Sequence, residues 1–148
     1  MNIYIAEEAG FCFGVKRALI LINQLHRQKQ TVQIYGDLIH NNTVLKDLEK
    51  KGINCIKRLD EASPGKKIVI RTHGIPLQEE EALKKTKMDY IDATCPLVKK
   101  IHDIIQKNQN NLSRIVIVGD KNHPEIIAAR SYTKNAMVIN SITQAEKI

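Results

Sequence analysis

Cys12, His40, His73, Cys95 and His123 each follow a short β-like run and come just before a helix-like one, in NIYIAEEAGFCFG, VQIYGDLIHNN, KIVIRTHGIP, DYIDATCP and RIVIVGDKNHPE. In an open α/β sheet the loops leaving the carboxyl ends of the strands gather on one edge, and ligands bind there. A thiolate is a soft-metal ligand, and an imidazole can ligate a metal or donate N–H to an anion. Two thiols and three imidazoles on one rim read as a metal or cluster centre beside an anion pocket.

Each loop carries its own chemistry. In GFCFGV, Cys12 lies between Gly10 and Gly14, in a turn feeding a helix. Glycine lets backbone approach a bulky ligand, and free N–H groups at a helix start favour thiolate. In DATCP, Pro96 sets up the helix, and Asp92 and Thr94 can cap it or orient the thiolate of Cys95. Taken singly, either cysteine reads equally well as an inert thiol behind a tight turn. His40, His73 and His123 stand beside Asn, Gly or Pro ahead of helix starts, where imidazole N–H groups and helix ends together suit a diphosphate. Glu125 falls just inside the helix after His123, facing the same edge, and can move protons or simply complement the helix dipole. Cys55, in INCI, reads as a core residue; His26 and His102 fall on or beside apolar helix faces and read as structural.

A mixed Cys/His set permits zinc, but zinc knuckles show close pairs such as C-x-x-C, and none occurs here. Widely separated single cysteines, one per strand exit, suit an iron–sulfur cluster. Two are too few to complete it, so a further ligand is expected from elsewhere.

The elements that must position these residues alternate. Strands are expected at 2–6, 31–35, 53–56, 67–71, 89–92, 114–118 and 136–139. Helical spacing runs through Val15, Ala18, Leu19, Ile22 and Leu25, then through 43–51 with Gly52 as its stop. Further helices start at Pro76, at Pro96 (with Val98, Ile101 and Ile105 on one face) and at Pro124. This rhythm predicts an α/β fold of parallel-sheet βαβ lobes. The boundary is expected near Cys95-Pro96, giving a first lobe at 1–96 and the beginning of a second at 97–148.

Composition narrows the partners. Hydrophobic residues are 43% and charged residues 26% of the 148, an ordinary globular mixture. A net charge of +7 favours anionic partners, but the cations are spread over helices. Aromatics at 4%, with no Trp, poorly supply a base-stacking platform, so nucleic acid is not expected as the partner. Apolar runs are too short for a membrane span, Glu7 and Glu8 break any leader pattern, and three cysteines do not make a disulfide framework. A cytoplasmic protein is expected. Two other readings compete: a basic phosphate- or nucleic-acid-binding module, and a zinc hydrolase.

GFCFGV, IHNN, THGIP, DATCPLV and HPE, in this order and at these intervals over the whole chain, resemble the 4-hydroxy-3-methylbut-2-enyl diphosphate reductases, the IspH/LytB family. The resemblance implies a trefoil-like α/β protein of three lobes around a 4Fe–4S cluster held by three cysteines, with Cys12 and Cys95 as the first two. It implies that His40, His73 and His123 hold the diphosphate substrate, with His123 also tuning Glu125, the proton donor. The implied reaction is reductive dehydroxylation to isopentenyl and dimethylallyl diphosphates in non-mevalonate isoprenoid biosynthesis, with electrons from ferredoxin or flavodoxin. Family members continue into a third lobe carrying the third cysteine; it is absent from these 148 residues, so the chain resembles an N-terminal portion.

Overall fold

The structure, a computed structural model, describes residues 2–4, 6, 9–109 and 114–148. Four strands form one parallel sheet: β1 (Val32–Tyr35), β2 (Asn54–Ile56), β3 (Lys67–Ile70) and β4 (Tyr90–Asp92), in the order β2-β1-β3-β4. Their register aligns Ile34 with Cys55 and Val69, and Val69 with Ile91. A second parallel pair joins β5 (Ile115–Val118) to β6 (Ala136–Ile139). Parallel neighbours need crossovers, and helices supply them: α2 (Asn42–Lys50) between β1 and β2, α3 (Leu77–Lys85) between β3 and β4, α4 (Pro96–Lys107) between the two sheets, and α5 (Pro124–Ser131) between β5 and β6. The helix α1 (Phe13–Arg27) precedes them, and a short α6 (Ile142–Ala145) follows.

The larger sheet is buried on both faces, which is why β1 and β3 are nearly continuous apolar runs rather than alternating ones. One face packs Val32, Ile34 and Val69 against Ala18, Ile22 and Leu25 of α1 and Leu48 of α2. The other packs Tyr35, Ile68 and Ile70 against Leu83 of α3. Each fully buried branched side chain here contributes about 1.5–3 kcal/mol. The polar exception in β1, Gln33, accepts a 2.7 Å hydrogen bond from the Ser63 amide, which joins the sheet to the Ser63-Pro64-Gly65 turn. The smaller sheet is covered on one side only: Val116, Val118 and Met137 are exposed.

Three expectations are corrected. Residues 2–4 and 6 carry no strand, and residue 5 lies outside the described residues. Ile3 and Tyr4 are 77% and 88% exposed, and no described strand pairs with them. Cys12 therefore follows no described strand, unlike the other four residues. On α4 the buried face is Val98, His102 and Ile105, and Ile101 points outward. His26 is exposed rather than on the packed face of α1.

Candidate active site

The strand exits are stitched to one another. The buried Thr72 hydroxyl, just after β3, donates to the Leu38 carbonyl after β1 at 2.7 Å. The Cys95 amide, after β4, donates to the Thr72 carbonyl at 2.9 Å. Arg71 closes the turn at His73 by donating from Nε to the Gly74 carbonyl at 3.0 Å, and Gly74 takes the positive φ of 74° that this turn needs. Parallel strands bring these loops to one edge, and the hydrogen bonds set their spacing.

Three of the predicted residues converge there. His40 and His73 stack with ring centroids 4.8 Å apart and planes 22° from parallel. His123 meets both edge-on, at 5.2 Å from His40 and 5.4 Å from His73. Burial, reinforced by His40, His123 and Arg71, pushes the His73 imidazole down to about 4, so it is neutral at pH 7. Its Nδ1 is buried and finds no partner among the described residues.

His123 is the N-cap of α5, and its Nδ1 accepts the Glu125 amide at 3.3 Å. A neutral ring that accepts at Nδ1 carries its proton on Nε2. That leaves His123 an N–H to offer an anion but no second lone pair for a metal. The ligand-capable atoms of the three rings lie within 4.8 Å of one another. Nitrogens around a tetrahedral zinc lie about 3.3 Å apart, given Zn–N bonds of about 2.0–2.1 Å. A zinc site would require both contraction of the cluster and loss of the cap, whereas an oxyanion accepts donors at the present spacing.

The two cysteines occupy matching positions. Cys12 is the N-cap of α1 and Cys95 the N-cap of α4, and neither makes a side-chain cap hydrogen bond. Both are free thiols, Cys12 exposed and Cys95 half-buried. A Cβ placed on Gly14 would lie 2.7 Å from the Cys95 sulfur, so Cys95 packs against the start of α1, two residues beyond Cys12. Arg17 reinforces this junction by donating to the Thr94 carbonyl at 3.3 Å. Below Cys95, Asp92 accepts the Thr94 amide at 2.8 Å and pairs with Lys99. Burial alone would raise the Asp92 carboxyl, but these hydrogen bonds outweigh it and hold the group below its usual range. Two uncapped thiols at adjoining helix N-termini fit part of an iron–sulfur ligand set and lack the rest.

Glu125 lies half-buried in the first turn of α5. Cys55 sits in β2, packed against the core, and burial pushes its thiol up. The reading of motif residues did not single out Thr72, Arg71 or Arg17 as organisers of the rim. Thr72 had a signal, being a hydroxyl residue at a strand exit next to a candidate histidine; the two arginines had none.

Residues 3–148 match the family described as LytB protein. A 4-hydroxy-3-methylbut-2-enyl diphosphate reductase of Caldanaerobacter subterraneus subsp. tengcongensis is 44% identical over 153 residues, covering 100% of this chain and 53% of its own length. The reductase of Clostridioides difficile is 35% identical over 150 residues, with 54% of its length covered. A solved (E)-4-hydroxy-3-methyl-but-2-enyl diphosphate reductase, described as the terminal enzyme of the non-mevalonate pathway, superposes with TM-score 0.80 at 37% identity, covering 98% of this chain and 53% of that one. The E-1-hydroxy-2-methyl-but-2-enyl-4-diphosphate reductase from Plasmodium falciparum gives TM-score 0.89 at 32% identity, covering 96% and 45%. The chain thus spans about half the length of the relatives it matches. A match over residues 3–148 carries every loop of the rim with it, and the chain belongs to the LytB protein family.

Proposed function

We propose that this chain is the N-terminal portion of an iron–sulfur oxidoreductase that converts 4-hydroxy-3-methylbut-2-enyl diphosphate to isopentenyl and dimethylallyl diphosphates. The observation that carries this reading is the convergence of His40, His73 and His123, with ring centroids 4.8–5.4 Å apart, on the rim that also bears Cys95. In this reading residues 1–96 are the first lobe and 97–148 begin the second. Cys12 and Cys95 hold a 4Fe–4S cluster whose third cysteine lies outside the 148 residues.

The overall reaction takes two electrons and two protons, breaks the C–O bond of the hydroxymethyl group and releases water. Bound at the cysteines, the cluster supplies the electrons, drawn from ferredoxin or flavodoxin, and Lewis acidity toward the hydroxyl oxygen. The protein residues bind, orient and protonate. His123 offers Nε2–H to a diphosphate oxygen while its Nδ1 stays on the Glu125 amide. His40 and His73 supply further donors, and the α5 N-terminus adds its dipole. Burial keeps His73 neutral, so it meets the diphosphate as a hydrogen-bond donor from one ring nitrogen. Glu125 delivers a proton to the departing hydroxyl. The reaction chemistry belongs to a reducing cytoplasmic compartment; among the described residues no helix is long and apolar enough to cross a membrane.

Calorimetric titration of the chain with inorganic diphosphate tests the pocket, and anaerobic reconstitution with iron and sulfide tests the thiols. Diphosphate should bind, and His40→Gln or His73→Gln should weaken it. Cys12→Ser or Cys95→Ser should lower iron retention in the chain extended to the length of its relatives. Absence of diphosphate binding, or iron content indifferent to both serines, would refute the reading.

A further inference from the structure

The helix that carries His123 is short, with eight residues, and its far end is fastened to the larger sheet's own helices. Pro76, the N-cap of α3, provides no side-chain cap, so the Leu77 amide is an orphan donor. Ser131, the last residue of α5, accepts it at 2.8 Å and passes its own proton to the Ala128 carbonyl at 2.6 Å. The next residue, Tyr132, donates its hydroxyl to Glu80 of α3 at 2.8 Å. The ring of Tyr132 stacks on His102 of α4, with centroids 4.2 Å apart and planes 19° from parallel. His102 in turn presses on Gly74: a Cβ there would lie 3.1 Å from its Cε1. His102 is 5% exposed, and among the described residues its Nε2 finds no partner, so packing holds that side of the ring.

These contacts join the residue after His73 to the end of the helix that starts at His123. We propose that Ser131, Tyr132 and His102 are positioning residues, a tie that holds α5 against α3 and α4 so that His123 meets His40 and His73. None of the three touches the rim histidines through its own hydrogen bonds. Their consequence for ligand binding rests on the diphosphate reading above; their consequence for the geometry of the rings does not. An eight-residue helix is a short lever, so loosening one end displaces the other.

The test compares two lesions of similar chemistry. Ser131→Ala with Tyr132→Phe removes both hydrogen bonds to α3 and keeps the aromatic stack. Tyr35→Phe removes a matching 2.7 Å hydrogen bond, from the Tyr35 hydroxyl to Glu79 of the same helix, without touching α5. Ring-to-ring nuclear Overhauser contacts of His123 with His40 and His73 are measured in the ligand-free chain, followed by calorimetry with inorganic diphosphate. Wild type and Tyr35→Phe should show the contacts, and the double variant should lose them at a comparable thermal midpoint. Diphosphate binding by the double variant should weaken about tenfold, the scale of one hydrogen bond to a charged group. His123 contacts unchanged in the double variant would overturn the tie, as would their equal loss in Tyr35→Phe. If the double variant does not fold, each single substitution is judged on the same contacts. A wild type that shows the ring contacts but binds no diphosphate would sink the functional reading and leave the tie to be judged by the contacts alone.

Discussion

The sulfur of Cys95 occupies the space that a side chain on Gly14 would need, 2.7 Å from the position of its Cβ. Gly14 lies inside α1, where replacing glycine by alanine ordinarily stabilises by about 1 kcal/mol. Here the sign should reverse. Gly14→Ala should destabilise by about 1–3 kcal/mol, the range for overpacking, because Cys95 is anchored by its amide bond to Thr72. Denaturant unfolding measures it, and Cys95→Ala in the same chain should recover only part of the loss, because the Cβ that alanine keeps would still lie 2.9 Å from the new methyl group.

His73 makes the fold acid-sensitive. Its imidazole is at about 4 when folded and 6.5 when free. Between those values the unfolded chain binds the extra proton, so stability rises with pH across this window. The contribution is complete above 6.5 and is lost as pH falls toward 4. His73→Gln should flatten the dependence of unfolding free energy on pH in that interval.

His123 does two jobs that two substitutions separate. Asparagine is a strong N-cap and can accept the Glu125 amide, but it does not reach outward as Nε2 does. His123→Asn should retain stability while losing diphosphate affinity. His123→Ala should lose the affinity and about 1 kcal/mol of stability. Equal stability losses for the two would remove the cap from the account.

Thr72→Val preserves shape and removes the 2.7 Å bond to Leu38. The buried Leu38 carbonyl loses its donor, which costs about 1–3 kcal/mol. Because Thr72 also receives the Cys95 amide, the substitution should loosen both loops and raise amide exchange at Cys95. Exchange at Cys95 unchanged from wild type would show the stitch to be redundant.

Much of the architecture was legible because β1 and β3 are buried on both faces and read as unbroken apolar runs between turns; their bounds differ from expectation by a residue at most. The face of α4 was not legible. Its sequence carries two apolar stripes, Val98-His102-Ile105 and Leu97-Ile101-Ile104, and only packing decides that the second is exposed. The run at 2–6 had strand-like residues, but a strand exists only with a partner, and partners are not local information. The histidines could be assigned to a common rim from their strand exits. Their spacing depended on Thr72, Arg71 and the far end of α5, whose contacts span 34 to 54 positions of sequence in the cases of Thr72 and Ser131.

The order β2-β1-β3-β4 puts the earliest strand of that sheet in its interior. Both of its edges wait for later segments, and the β1–β3 pairing joins Val32 to Lys67 across an intervening helix and strand. Loops of that length close slowly, because chain entropy is spent before the contacts form. During synthesis β1 therefore leaves the ribosome with unpaired hydrogen-bonding edges, and nascent chains arrested before β3 should be the species that chaperones capture.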